Sequence, residues 1–117
     1  MKKETGVVRI IKAAGYSLAG FKAAWNSEAA FRQEVIGALI LVPVGILLGK
    51  TGVEKALLSS SPLAIVVVEL LNSGLEAVVD RTGNDFHPLA KNAKDMGSAA
   101  VFLSIVMTVT VWFLIII

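Results

Sequence analysis

The chain has 117 residues, of which 56% are hydrophobic and 17% are charged, and its formal net charge at pH 7 is +2. A soluble domain has about 45 to 50% apolar and about 25% charged residues, so this composition indicates a membrane protein. Cysteine is absent, which excludes disulfides, thiolate metal sites and cysteine nucleophiles. The basic residues show no nucleic-acid-binding pattern.

The first predicted element is an amphipathic helix over residues 7–25. Its apolar residues recur at spacings of three and four, whereas Arg9, Lys12 and Lys22 fall outside that stripe. Beside membrane spans, such a helix is expected to lie in the membrane interface, although a core helix has the same pattern. Residues 1–3 are basic like the start of a signal peptide, but Arg9 and Lys12 interrupt the apolar core, so we expect the N-terminus to be retained.

Three segments are predicted to cross the membrane, namely residues 29–49, 56–79 and 96–117. A bilayer core of about 30 Å needs about 20 apolar residues, and the last segment carries no charge at all. Pro43 and Pro62 lie inside the first two spans, where neighbouring helices can satisfy the freed carbonyl groups. A polar loop is expected over residues 80–95. The predicted fold is all-α, with one interfacial helix and three transmembrane helices.

The distribution of lysine and arginine predicts the orientation, because cytoplasmic flanks are enriched in these residues. Six of them lie before the first span or in the charged turn at its start, which contains Arg32 and Glu34. Three lie in the second loop and two lie in the first loop. With three spans, the N-terminal segment and the second loop share a side of the membrane. The count therefore predicts that this side is cytoplasmic.

The second span contains ionisable residues, which are costly in a membrane at about 2.5 to 3.5 kcal/mol each. Glu69, Asn72 and Glu76 occupy positions i, i+3 and i+7, and Asp80 continues the same helical face. That face is expected to point into protein or a wet pocket. Protonated carboxyls that join helices, a metal site and an acid–base site are all compatible with it.

The topology is expected to bring other charged groups to the cytoplasmic end of these residues. Glu28 begins the first span, Glu76 and Asp80 end the second, and Lys94 and Asp95 open the third. Carboxylates without histidine or cysteine suit Mg²⁺, which shares its shell with phosphate oxygens. Lys94 near a helix N-terminus suits a phosphate contact.

Other nucleotide-binding signals are absent, since the chain has neither a P-loop nor the Gly-rich loop and H-R-D triplet of protein kinases. His87 is the only histidine and is interpreted as a loop surface residue in preference to a ligand. Trp25 and Trp112 are interpreted as interfacial anchors.

The residues reached so far lie in four strings: RIIKAAGYS at 9–17, AAWNSEAAFRQE at 23–34, ELLNSGLEAVVDR at 69–81 and AKDMGSAAV at 93–101. In these strings, and in their order, the chain resembles the small prokaryotic integral membrane diacylglycerol kinases. The resemblance implies a homotrimer in the bacterial inner membrane, with sites shared between subunits. It also implies an enzyme that makes phosphatidic acid from diacylglycerol and MgATP.

The resemblance implies a role for individual residues as well. Glu69 would be the general base, Glu28 and Glu76 would hold Mg²⁺, and Asn72 would be a supporting polar group. The nucleotide would contact Arg9, Tyr16, Glu28, Glu76, Asp85, His87, Lys94 and Asp95. The lipid substrate would contact Arg9, Ala14, Trp25, Arg32, Glu69 and Ser98. The loop over residues 82–92 departs from the usual family sequence at Pro88 and Asn92. The resemblance therefore supports the nucleotide contacts of Asp85 and His87 less directly than the others.

Two alternatives remain at this point. Undecaprenol kinases belong to the same wider family, so the lipid could be a polyprenol, although the strings favour diacylglycerol. A non-enzymatic membrane subunit, such as a small channel or assembly factor, could use the second-span carboxylates as an ion path. The channel predicts ion flux that is lost on Glu69→Gln, whereas a kinase predicts lipid-dependent ATP consumption.

Overall fold

The structure is a computed structural model that describes residues 5–83 and 85–117, and these residues form four α-helices. The helices are α1 (Gly6–Ser27), α2 (Ala29–Leu48), α3 (Gly52–Asp80) and α4 (Pro88–Ile116). Helices α2, α3 and α4 are each long and apolar enough to cross a membrane, which confirms the prediction of three such helices. Lys2 and Lys3, which were counted toward the orientation, lie outside the described residues.

Helix α3 is the centre of the fold, because α2 and α4 both pack along it. The packing of α2 on α3 is closest where Gly45 faces Leu58. A Cβ atom at Gly45 would lie 2.8 Å from both the Cβ and the carbonyl oxygen of Leu58, and Leu58 is fully buried. Glycine at this position therefore lets the two backbones approach, as small residues do between membrane helices.

Helix α4 is joined to α3 by two hydrogen bonds beside Pro62. Proline has no N–H, so the carbonyl of Leu58 loses its partner within the helix. The indole Nε1–H of Trp112 donates to that carbonyl at 3.1 Å, and the Thr108 hydroxyl donates to the Ser61 carbonyl at 3.1 Å. Trp112 was interpreted as an interfacial anchor, but the structure shows its indole donating a hydrogen bond to a carbonyl of the neighbouring helix α3.

The polar segments between helices are shorter than predicted. The second loop was expected over residues 80–95, yet α3 continues to Asp80 and α4 begins at Pro88. Proline suits the first turn of a helix, and the Nδ1 atom of His87 accepts a hydrogen bond from the Leu89 amide at 3.1 Å, which caps α4. Likewise α3 begins at Gly52 instead of residue 56, because Thr51 accepts from the Glu54 amide at 3.2 Å.

Helix α1 packs on the other helices through its C-terminal part. Ala24 is buried there, whereas Val7, Ile11 and Leu18 of the predicted apolar stripe are 71%, 66% and 69% exposed. The guanidinium of Arg32 in α2 donates to the Trp25 carbonyl at 2.6 Å. That carbonyl is one of the last four of α1, which lack partners within the helix. The position of α1 in the membrane interface stays a prediction.

The single chain buries little apolar surface. Within the described residues, the buried hydrophobic side chains are Ala24, Phe31, Ala38, Leu58 and Ile65. Large apolar side chains elsewhere on α2, α3 and α4 are exposed, so lipid or other protein chains must cover them.

Candidate active site

Glu69 is the buried carboxyl of the molecule's central helix. It is 4% exposed, so the predicted polar face of α3 does point toward the other helices at this residue. The carboxyl groups of Glu34, Glu76 and Glu28 are near enough to interact with it electrostatically. A carboxyl held in apolar surroundings beside other carboxyls is a frequent property of functional sites.

Glu28 and Glu76 lie together, as predicted from the topology. Glu28 occupies the break between α1 and α2, outside the three apolar helices. Burial raises the pKa of its carboxyl above the ordinary value of 4.5, and the charge of Glu76, a hydrogen bond with Glu76 and the charge of Asp80 raise it further. Three carboxyls, one from the break between α1 and α2 and two from α3, thus concentrate negative charge at one end of the fold.

This concentration of charge fits a divalent cation that is shared with a substrate. Residues 5–83 and 85–117 contain no group of three or more His, Cys, Asp or Glu side chains that could hold a metal ion by themselves. Mg²⁺ in nucleotide-dependent enzymes is typically bound by one or two carboxylates, with phosphate and water oxygens completing the shell. The Glu28 and Glu76 pair matches that donor set, and a bound cation would relieve the repulsion between the two carboxylates.

Lys94 and Asp95 form ion pairs on α4. Lys94 pairs with Asp80 at 2.6 Å, and Asp95 pairs with Lys91 at 2.6 Å. Because α4 begins at Pro88, Lys94 is the seventh residue of the helix, about 9 Å along its axis from the first. The prediction that Lys94 and Asp95 open the helix, with Lys94 at its N-terminal amides, is therefore wrong. Asp80 orients the Lys94 ammonium instead.

The predicted nucleotide contacts from the second loop do meet one another. A cavity of about 250 Å³ lies between the end of α3 and the start of α4, and Asp85, His87, Lys94 and Asp95 all line it. Asp80 and Lys91 line it too. The cavity therefore carries charges of both signs, and Asp80 connects it with the Glu28 and Glu76 pair because the Asp80 charge also acts on Glu28.

Asn72 lies on α3 between Glu69 and Glu76, and its side chain rests against α4. Within the described residues, its buried Oδ1 atom has no hydrogen-bond partner. A buried acceptor without a partner costs about 1 to 3 kcal/mol. A water molecule or a bound group that donates a hydrogen bond to this atom would remove the cost.

The amino-acid sequence of the chain is similar to those of known proteins. A model of the prokaryotic diacylglycerol kinase family matches residues 15–116. The chain belongs to this family. It is 51% identical to the diacylglycerol kinase of Escherichia coli K12, over 92% of this chain and 88% of that protein. It is also 51% identical to that of Pseudomonas aeruginosa, over 95% and 90%, and 46% identical to that of Helicobacter pylori 26695, over 94% and 86%. The resemblance inferred from the sequence strings is confirmed.

Several predicted residues of this kinase family member lie apart from the carboxyl cluster. Arg9, Ala14 and Tyr16 are exposed along α1, and no hydrogen bond or ion pair joins Arg9 or Tyr16 to the cluster in the described part of the chain. Ser98 is exposed on α4. Arg32 holds the Trp25 carbonyl. A single chain therefore does not assemble the whole predicted set, and the roles of these residues stay predictions.

One acidic residue of the cluster was missed by the sequence reasoning. Glu34 is half-buried on α2, and its carboxyl is one of those that interact electrostatically with Glu69. It lies in the second turn of a span, where an ionisable residue calls for an explanation. The same argument that selected Glu69 and Glu76 would have selected Glu34. It had been assigned to the charged start of the span together with Arg32.

Proposed function

We propose that this member of the prokaryotic diacylglycerol kinase family transfers the γ-phosphate of MgATP to diacylglycerol and releases phosphatidic acid and ADP. The observation that carries the proposal is the buried Glu69 carboxyl on a helix long and apolar enough to span a membrane, about two turns along α3 from Glu76 of the Glu28 and Glu76 pair. The similar proteins of Escherichia coli and Pseudomonas aeruginosa are diacylglycerol kinases, which supports the choice of diacylglycerol over undecaprenol.

In the proposed reaction, Glu69 acts as the general base. Its carboxylate takes the proton of the lipid hydroxyl as the hydroxyl oxygen attacks the γ-phosphorus, and the bond from that phosphorus to the oxygen bridging it to the β-phosphate breaks. A positioned base contributes about 10² to 10⁴ in rate. Phosphoryl transfer otherwise relies on alignment of the reactants and on neutralisation of charge. Because three other carboxyls lie near Glu69, the neutralising positive charge must come from bound groups.

The nucleotide is proposed to lie against the cavity between α3 and α4. Glu28 and Glu76 would hold Mg²⁺, which neutralises phosphate charge when it is bound. Lys94 would exchange Asp80 for a phosphate oxygen, and Asp85, His87 and Asp95 would contact the nucleotide from the cavity wall. Arg9 and Tyr16 would approach from α1 of the same chain or of a neighbouring one.

The lipid substrate is proposed to approach from the α1 side. Trp25 lines an apolar cavity of about 430 Å³ between α1, α2 and α3, together with Phe31 and Val66. Ala14, Arg32 and Ser98 are the remaining proposed lipid contacts. We place α1 in the interface of the bacterial inner membrane, with the N-terminus and the active site on the cytoplasmic side.

We also propose that three copies assemble into a homotrimer. The exposed apolar faces of α2 to α4 support self-association, and so does the separation of Arg9 and Tyr16 from the carboxyl cluster. A site completed by a second copy would bring both sets of residues together.

The test is a transfer assay with the purified full chain in micelles. The protein is incubated with Mg²⁺, γ-labelled ATP and either diacylglycerol or undecaprenol, and the labelled lipids are separated. We expect label in phosphatidic acid. Label in undecaprenyl phosphate alone would reassign the substrate, and label that stays in ATP or free phosphate with both lipids would refute a lipid kinase.

Two variants test the base with a matched control. Glu69→Gln is expected to lower kcat by about 10² or more while the protein stays folded. Glu54→Gln changes an equivalent group in the same helix, about 22 Å away along its axis, where Glu54 accepts from the Lys50 amide at 3.0 Å. Glutamine can accept the same bond, so this variant should keep wild-type kcat. Equal activity of both variants would remove Glu69 from the mechanism.

A further inference from the structure

Gly97 of α4 sits directly against the side chain of Asn72. A Cβ atom built on Gly97 would collide with the Oδ1 atom of Asn72 and lie 3.1 Å from its Cγ atom. No side chain fits in that space while Asn72 keeps its present position. Glycine at position 97 therefore decides where the Asn72 amide is held.

The identity of the colliding atoms decides what a substitution would move. At Gly45, a Cβ atom would meet the backbone of Leu58, so the helices themselves must separate. At Gly97, the nearest atoms belong to the free end of the Asn72 side chain, which can rotate away. Gly74 on α3 has nothing within 4 Å of a built Cβ atom. The three glycines thus predict three different outcomes for the same change to alanine.

The displaced amide lies at the centre of the proposed active site. Asn72 is three residues from Glu69 and four from Glu76 on one face of α3, and its buried Oδ1 atom is unpaired within the described residues. A Cβ atom at position 97 would move this amide from its place on the face of α3 that carries Glu69 and Glu76. A shift of about 1 Å in such a group costs on the order of 10²-fold in rate.

We propose that Gly97 is a positioning residue that acts through Asn72. Because Gly97 has no side chain, the Asn72 amide can pack against the backbone of α4. In that position it lies on the face of α3 between the proposed general base, Glu69, and the proposed metal ligand Glu76. The catalytic part of this inference rests on the proposed kinase function, whereas the contact between Gly97 and Asn72 does not.

The experiment compares Gly97→Ala with Gly74→Ala in the full chain in micelles. Both changes remove a glycine from a helix interior, where alanine is the better helix former, so the thermal stability of both variants should equal or exceed that of the wild type. Gly97→Ala is expected to lower kcat by about 10- to 100-fold with little change in KM for MgATP. Gly74→Ala should keep both constants. A Gly97→Ala variant with the kcat of Gly74→Ala would overturn the proposal.

Side-chain NMR tests the contact independently of activity. Labelling with ¹⁵N-asparagine gives side-chain amide signals from Asn26, Asn72, Asn84 and Asn92, and Asn72→Asp identifies the one from Asn72. That signal should move in Gly97→Ala and stay in place in Gly74→Ala. An unmoved signal contradicts the proposal even if kcat falls. A moved signal in a protein whose wild type phosphorylates no lipid would refute the kinase function and leave the contact intact.

Discussion

The hydrogen bond from Trp112 to the carbonyl freed by Pro62 leads to a quantitative prediction. Trp112→Phe keeps an aromatic ring but removes the Nε1–H that donates to Leu58 at 3.1 Å. Hydrogen bonds between membrane helices contribute about 0.6 kcal/mol on average, but a buried carbonyl left without any partner costs about 1 to 3 kcal/mol. Because Pro62 offers no backbone donor, we expect a loss near the middle of the larger range, about 2 kcal/mol.

A double-mutant cycle isolates this bond from the change in ring size. Pro62→Ala returns a backbone N–H to α3, which can donate to the Leu58 carbonyl as in an ordinary helix. In that background Trp112→Phe should cost about 1 kcal/mol less than in the wild type. The free energy of unfolding is measured by titrating SDS into micelles of the purified chain and following far-UV circular dichroism. Trp25→Phe serves as a control, because the Trp25 indole makes no hydrogen bond in residues 5–83 and 85–117.

Additive costs would refute the reasoning. If the two substitutions together cost the sum of the separate costs within about 0.5 kcal/mol, the carbonyl does not depend on Trp112. The prediction also fails if Trp112→Phe is no more destabilising than Trp25→Phe.

Three further predictions concern packing, charge and nucleotide binding. Gly45→Ala should destabilise the fold by about 1 to 3 kcal/mol in the same SDS titration, because the added Cβ atom would meet the Leu58 backbone at 2.8 Å; wild-type stability would contradict this close packing. The raised pKa of Glu28 means that the folded chain binds this proton more tightly than the unfolded chain. Stability should therefore fall as the pH rises through the window from 4.5 to the raised pKa, and Glu28→Gln should flatten that slope. Lys94→Ala should raise KM for MgATP about 10-fold, the effect of losing one charged hydrogen bond, whereas Lys55→Ala at the other end of α3 should leave it unchanged in initial-rate assays.

The sequence predicted the helices well where composition decides, and less well where local contacts decide. Long apolar runs identified α2, α3 and α4, because membrane insertion depends on summed hydrophobicity. The start of α4 was predicted wrongly, because Pro88 and the charged residues after it have the composition of a loop. Their helical conformation depends on the cap from His87, which is a contact between particular atoms. The periodicity rule worked for Glu69, whose position on α3 fixes its direction.

The spacing of residues along the sequence could not predict which side chains of different helices contact one another. Nothing in the spacing of Asp80 and Lys94 says that they pair at 2.6 Å, because that depends on how α3 and α4 are aligned in space. The same holds for Asn72 against Gly97. Glu34 was within reach, as an ionisable residue in a span, and was passed over because it was assigned to the charged start of the span.

The length of α3 has a consequence for the surrounding bilayer. Its 29 residues extend about 44 Å at 1.5 Å per residue, against a hydrocarbon thickness of about 30 Å. A helix of this length that spans a bilayer must tilt or project from the acyl-chain region. If Glu69 is the general base, as proposed above, a change in the acyl-chain length of the host membrane would shift the depth of its carboxyl relative to the lipid hydroxyl.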